Sequence, residues 1–358
     1  MKVLYVIGAL PYGGVENLLF ETVNNMKHYG VTPYIVNLAG IGEQHQAFVN
    51  SGIETISVGK GNGYIKTHRL DTAWKLRKII KSIAPDVIHT MHFSADFFGR
   101  LSALFMNIPV IVHIHNPRIA GKIHRKILNR ALSYKTSAYI SVSQEVKKQV
   151  ELYHNLAVKP NKVIYNGINR DKFANLQKDK NSKQIFACGR LVKLKNFDIL
   201  IKAFGKIYDY HPDYQLVIAG DGPEKNSLKK LIKDTGLENN VFLTGYRTDI
   251  PYLLSKSNIF VMPSESEGFG IAHLEAMFMG VPAIISENVG TKEIAANCSL
   301  ICDKTEEDIA EKIDLLIKDK KLYEKLSFEA KRLSEDFTID NYCSQLVNLY
   351  NQVLKNGL

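Results

Sequence analysis

Short apolar runs rich in β-branched residues alternate with helix-length amphipathic stretches along almost the whole chain. The first seven are "KVLYVIG", "PYIVNL", "ETISV", "DVIHT", "VIVHIH", "AYISVS" and "KVIYNG". They lack the strict alternation of a half-exposed strand. They therefore predict strands buried on both faces, in a parallel sheet covered by helices. Between them, Val15, Leu18, Leu19, Val23 and Met26 follow the 3.6-residue spacing of one helix face.

The polar, lysine-rich segment "NRDKFANLQKDKNSKQ" at 169–184 interrupts the pattern and reads as an interdomain linker. The alternation restarts with "IFACG", "QLVIAG", "VFLTG", "IFVM", "AIIS" and "SLIC", which predict a second doubly wound sheet. Ile339, Tyr342, Leu346, Leu349 and Val353 then mark one more amphipathic helix. The resulting division is a Rossmann-like domain over 1–170, a linker over 171–183, a second Rossmann-like domain over 184–336 and a terminal helix over 337–358. A chain of 358 residues suits two cores better than one.

The chain has no apolar run long enough for a spanning helix and no leader-like opening, so a cytoplasmic protein is expected. Cys188, Cys298, Cys302 and Cys343 have no CxxC or zinc-like spacing and are expected to be reduced, with no metal site. The net charge of +10 is uneven, at +12 over residues 1–175 and −2 over the rest. One lobe alone is expected to face something anionic: nucleic acid, lipid or a phosphorylated substrate.

In open parallel sheets, ligands bind beyond the carboxyl ends of the strands. Four strand ends carry candidate chemistry. After the first strand, Gly13 and Gly14 precede a helix whose free N–H groups suit a phosphate, although an ordinary tight turn explains them equally. In "HIHNPR", His113 and His115 share one strand face, and His115 at the strand end is as often structural as functional. In "ACGRLVKLKN", Arg190 and Lys195 form a pair able to neutralise a diphosphate, or else a solvated basic loop. In "PSESEGFGIAHLEA", Glu267 stands before the donor-rich turn Gly268, Phe269 and Gly270, with Glu275 eight residues on. Two carboxylates flanking such a turn suit a ligand that combines sugar with phosphate. A glycosidase-like acid/base pair competes, but does not account for the basic pair.

Together with "GGVEN", "VIYNGIN", "LVIAGDGPEKNSL", "VFLTGY", "GVPAIIS" and "VGTKEI", these segments resemble the retaining nucleotide-sugar glycosyltransferases of family four, closest to capsule and exopolysaccharide enzymes. The resemblance implies an α/β GT-B fold, in which two Rossmann-like domains face a central cleft and the last helix returns to the first domain. It implies that Arg190 and Lys195 hold the diphosphate of a UDP-linked sugar, helped by the backbone at Gly13, Gly14 and Ile271. Glu275 would bind the ribose, Glu267 and the Gly268–Gly270 backbone the transferred sugar, and Tyr246 and Arg247 the base. His115 would lie beside the anomeric carbon, and Asn116 and Asn169 stand where the family commonly has Asp.

The expected function is a metal-independent, retaining transfer of a sugar to a lipid-linked or polysaccharide-precursor acceptor, with no cofactor beyond the donor. A GT-B epimerase or hydrolase is the alternative. A dinucleotide-dependent oxidoreductase would need a G-x-G-x-x-G turn that neither lobe has. A nucleic-acid binder would leave Glu267 and Glu275 without purpose. An anionic membrane surface is a further expected partner, through Arg118, Lys122, Arg125, Lys126, Arg130 and Lys135. Beside them Ile119, Ile123, Ile127 and Ala131 are expected to form a stripe packed on the first sheet.

Overall fold

The computed structural model describes residues 1–59, 70–116, 123–154 and 159–355. All thirteen apolar runs form strands, in two sheets. The first sheet contains β1 (Lys2–Ile7), β2 (Thr32–Asn37), β3 (Glu54–Ser57), β4 (Val87–Met91), β5 (Val110–Ile114), β6 (Thr136–Ser141) and β7 (Asn161–Val163). The second contains β8 (Gln184–Cys188), β9 (Gln215–Ala219), β10 (Val241–Gly245), β11 (Ile259–Met262), β12 (Ala283–Ser286) and β13 (Ser299–Cys302). Every pairing is parallel.

The strand orders are β3-β2-β1-β4-β5-β6-β7 and β10-β9-β8-β11-β12-β13. Each sheet therefore grows outward from its first strand in one direction, then returns to build the other side. The loops after β1 and β4, and those after β8 and β11, part at these reversals and leave a crevice between them.

The chain divides into two compact units, 1–167 with 339–358 and 168–338. In the first, Leu4, Val6, Ile88 and Val110 pack on one side of the sheet with Leu76, Ile80, Phe98 and Leu132. The opposite side carries Tyr5 and His89, which are register partners on β1 and β4. The Ile339–Lys355 helix belongs to this unit and buries Tyr342, Leu346, Leu349, Tyr350 and Val353. The second unit has its own core of Ile185, Leu216, Ile218, Ile259 and Ile284 with Leu200, Phe204 and Ile313.

Two expectations meet a different structure. Segment 171–183 lies inside the second unit, where Phe173 is buried against Phe278 and the Lys178 ammonium donates to the Gly280 carbonyl at 2.6 Å. Among the described residues of the Ile123–Leu132 helix, Asn129 and Leu132 are buried and Leu128 is partly buried, whereas Ile127 is 62% exposed and Ala131 is also outward. The apolar stripe is thus not packed on the sheet at these two positions. Residues repeating every four along a helix drift by about 40° per step, so they do not hold one face. Lys135 is also committed, donating to the Met106 and Ile108 carbonyls at 2.6 and 3.1 Å. Arg118, Ile119 and Lys122 lie outside the described residues, as do the side chains of Ile123, Arg125 and Lys126. Among the described residues, no helix is long and apolar enough to cross a membrane.

The loops after β8 and β9 meet backbone to backbone. Gly220 has φ +154°, and a Cβ there would sit 1.9 Å from the Gly189 carbonyl oxygen. Gly220→Ala is expected to destabilise the chain by about 2 kcal/mol or more, since relief requires moving main chain. Urea unfolding checks this, and a change within about 0.5 kcal/mol would contradict it.

Candidate active site

In the second unit, the site is assembled at the reversal between β8 and β11. Gly189 to Asn196 leave β8, and this loop is stitched to the one leaving β11. The Asn196 side-chain amide donates to the Pro263 carbonyl at 2.9 Å, and the Glu265 N–H donates to the Leu194 carbonyl at 2.8 Å. The stitching brings Lys195 to Glu267, and the two side chains form a direct ion pair that is mostly shielded from solvent.

The Glu267–Gly270 turn is in turn clamped by the loop after β12. The Glu267 N–H donates to the Asn288 carbonyl at 3.1 Å, and the Gly290 N–H returns to the Glu267 carbonyl at 3.0 Å. The Thr291 N–H donates to the Phe269 carbonyl at 2.7 Å. A Cβ on Gly290 would meet the Gly268 carbonyl oxygen at 2.1 Å, so this contact requires glycine. Gly270 caps the Ile271–Met279 helix with φ +106°, which places the helix's free N–H groups at the turn. His273 anchors that helix from behind, with Nδ1 2.7 Å from Thr291 Oγ1 and Nε2 2.9 Å from Ser299 Oγ.

Glu275 is half-buried rather than turned to solvent. Burial pushes the Cys188 thiol at the end of β8 well up, and the charges of Glu275, Lys195 and Glu267 all act on it. Three of the predicted residues thus converge on one strand end. Arg190 is exposed in the same loop. Tyr246 and Arg247 follow β10, two strands away in the sheet. The Arg247 guanidinium is bidentate to Asp249, at 2.8 and 2.5 Å.

In the first unit, Gly13 caps the Gly14–Met26 helix. A Cβ on Gly13 would lie 2.2 Å from Glu16 Oε2, so the buried Glu16 carboxylate folds back over the helix start where a phosphate was expected. Glu16 occupies the third helical position, the spacing of a capping box, and that signal is legible in "GGVE". His92, beyond β4, has φ 78° and ψ 150°, a conformation nearly restricted to glycine, with its Nε2 3.8 Å from Glu16 Oε1.

His115 follows β5, its ring 4.0 Å from that of His113. Among the described residues, His92 Nδ1, His113 Nε2 and both nitrogens of His115 are buried without a hydrogen-bond partner. Burial, then neighbouring imidazoles, hold His113 and His115 well below the ordinary histidine range, and burial alone takes His89 to about 3. This cluster is therefore neutral at pH 7. His89 and His92 were not singled out from sequence, although His92 stands at a strand end. Asn116 is exposed, and Asn169 accepts from the Asp171 N–H at 3.0 Å, a turn-forming role. Among the described residues, no group of three or more His, Cys, Asp or Glu could hold a metal ion.

Each half of the chain matches a family model: Glycosyltransferase Family 4 over residues 12–172 and Glycosyl transferases group 1 over residues 168–333. The chain belongs to the GT-B glycosyltransferases. An uncharacterized glycosyltransferase of Haemophilus influenzae is 26% identical over 92% of this chain and 93% of its own. A UDP-Gal:alpha-D-GlcNAc-diphosphoundecaprenol alpha-1,3-galactosyltransferase of Escherichia coli is 32% identical over 62% of this chain and 63% of its own. Anabaena HepE, solved in complex with UDP and glucose, superposes with a TM-score of 0.84 over 98% of this chain and all of that one, at 20% identity. The fold of this glycosyltransferase is thus shared well beyond its sequence similarity.

The neutral imidazoles give the first unit a stated pH response. Their folded pKa values lie below the unfolded value near 6.5, so the unfolded state binds more protons between those limits. Their contribution is complete above pH 6.5 and is lost as pH falls towards the folded values. Each such histidine adds a slope of up to about 1.4 kcal/mol per pH unit. The urea midpoint, followed by far-UV circular dichroism, is expected to fall between pH 7 and pH 5, and a flat midpoint would contradict the neutral cluster.

Proposed function

We propose that this glycosyltransferase moves a sugar from a UDP-sugar to an acceptor hydroxyl with retention at the anomeric carbon and without a metal ion. The observation that carries the reading is the convergence of Lys195, Glu267 and Glu275 on the end of β8, beside a turn that aims helix N–H groups into the same place. A diphosphate leaving group needs fixed positive charge as the glycosidic bond breaks, and Arg190, Lys195 and the helix start supply it. Glu275 takes the ribose, Glu267 and the Gly268–Gly270 backbone the sugar, and Tyr246 with Arg247 the base. Support for a UDP donor comes from the galactosyltransferase relative, whose name includes UDP-Gal, and from HepE, which binds UDP.

His115 and its neutral neighbours in the first unit are assigned to the acceptor side. A lipid-linked acceptor, as in capsule or exopolysaccharide assembly on the cytoplasmic side, has two supports: the relative that acts on a diphosphoundecaprenol sugar, and the outward-facing Ile127, Arg130 and Ala131. Such a helix face suits peripheral contact with anionic lipid.

A panel of UDP-sugars and GDP-sugars with a lipid diphosphate glycan acceptor tests this directly. Transfer from one UDP-sugar is expected to continue in EDTA. Arg190→Ala and Lys195→Ala are expected to lower kcat by roughly two to three orders of magnitude. Loss of activity in EDTA with rescue by magnesium would refute metal independence, and near-normal turnover in both variants would refute the diphosphate assignment.

The two glutamates should separate in a binding experiment. Glu275→Ala is expected to weaken UDP binding in calorimetry. Glu267→Ala is expected to bind UDP at least as well as the parent, because Lys195 loses its competing carboxylate, while transfer falls. The opposite ranking would exchange the assignments.

A further inference from the structure

At the strand-order reversal of the first unit, a carboxylate and an imidazole face each other, and the proposed transfer assigns neither of them a role. Glu16 lies in the first turn of the Gly14–Met26 helix, and His92 stands directly after β4, ahead of the Phe93–Ser102 helix. Glu16 Oε1 is 3.8 Å from His92 Nε2, and the side chains are 6% and 27% exposed. That separation is too long for a direct hydrogen bond. One oxygen at about 2.8 Å from each atom fits between them.

The backbone is committed to this placement. His92 holds φ 78° and ψ 150°, a conformation nearly confined to glycine. Its carbonyl accepts from the Asp96 N–H at 2.9 Å, a capping role that needs no imidazole. Gly8 follows β1, and a Cβ there would meet Ser94 Oγ at 2.6 Å, displacing the turn that carries His92. Gly13 makes the same allowance for Glu16 Oε2, which a Cβ would meet at 2.2 Å. Two glycines thus clear space for one pair.

The polarity of the pair selects a ligand. Burial takes His92 to about 4, so at pH 7 the ring carries a single proton. Nδ1 is sealed without a partner, which leaves the Nε2 edge as the part of the ring open to solvent. The proton belongs on Nε2, because a lone pair there would face the Glu16 carboxylate. The space between them therefore offers an acceptor on one side and an N–H donor on the other. A phosphate is repelled by the carboxylate, and an ammonium group has no lone pair for the imidazole N–H. A hydroxyl donates and accepts through one oxygen and satisfies both. The loop after β1 also shows Tyr12, 49% exposed, and the loop after β2 shows Ile41, 66% exposed. These loops are joined by the Gln44 N–H, which donates to the Leu10 carbonyl at 3.1 Å. Apolar side chains on the same rim suit the C–H faces of a sugar ring.

We propose that Glu16 and His92 form a sugar-hydroxyl site in the first unit, where a hydroxyl of the acceptor donates to the Glu16 carboxylate and accepts from His92 Nε2–H. This deepens the acceptor-side reading above and rests on it for naming the ligand an acceptor.

Nitrogen-15 NMR of histidine-labelled full-length chain, titrated with the methyl glycosides of glucose, galactose and N-acetylglucosamine and without nucleotide, reads the site directly. His92 is expected as the neutral Nε2–H form, and one glycoside is expected to shift its resonance with an affinity about tenfold weaker in Glu16→Gln. Glutamine keeps the contact with the helix start, so this variant is expected to fold. In turnover, Glu16→Gln is expected to raise KM for the glycan acceptor about tenfold, with KM for the sugar donor unchanged. His92→Gly relieves the backbone, so its urea midpoint is expected at or above that of the parent while KM for the acceptor rises. No shift with any of the glycosides, a proton on His92 Nδ1, or an unchanged acceptor KM in both variants would overturn the proposal. A His92→Gly midpoint well below the parent's would also overturn it, by making the imidazole a structural residue. The titration needs neither donor nor turnover, so its failure is separable from failure of the UDP-sugar panel, which would overturn only the transferase reading.

Discussion

The reversal of strand order beside β1 and β8 is the constraint on which both sites depend. A parallel sheet requires each connection to cross back over a face, and connections on either side of the first strand then diverge. Loops leave the strands on either side of this gap. The chain places glycines, imidazoles and charges in these gaps and keeps strand interiors apolar, so that β1 and β8 have almost wholly buried bodies.

Holding loops open at a crevice requires stiffness elsewhere, and close main-chain contact supplies it. Gly220 abuts the Gly189 carbonyl, Gly222 the Leu191 carbonyl and Gly290 the Gly268 carbonyl, each nearer than any side chain would allow. The Glu267–Gly270 turn is therefore bonded to the loop after β12 by three backbone hydrogen bonds, with His273 pinning the helix beneath it. Precision at this turn comes from the backbone, so its carboxylate can present a defined geometry to Lys195.

The strands were legible because buried parallel strands write themselves as unbroken apolar runs, and the turn at Glu267 was legible because its glycines and carboxylates follow such a run. Less visible was anything fixed by a partner distant in the chain. Phe173 gives a polar segment its anchor, but only Phe278, more than a hundred residues on, makes it one. The direction of the Ile123–Leu132 helix is set by which residues meet the sheet, and a four-residue repeat does not determine that. Tyr350 lies in a helix whose apolar face was evident, yet its hydroxyl acquires meaning only opposite His89 on β4.

The two units share a topology and differ in the way they handle charge. At the second unit's site, Lys195, Glu267 and Glu275 keep opposite charges close to one strand end. At the first unit's site, burial holds four imidazoles neutral. Yet it is the first part of the chain that carries the +12 charge. Among the described residues, Lys75, Lys78, Lys147 and Arg130 carry part of that charge on helices rather than at the strand ends. A basic exterior and an uncharged imidazole cluster coexist in one unit because burial sets the charge of the imidazoles, while helix surfaces leave ammonium groups in water.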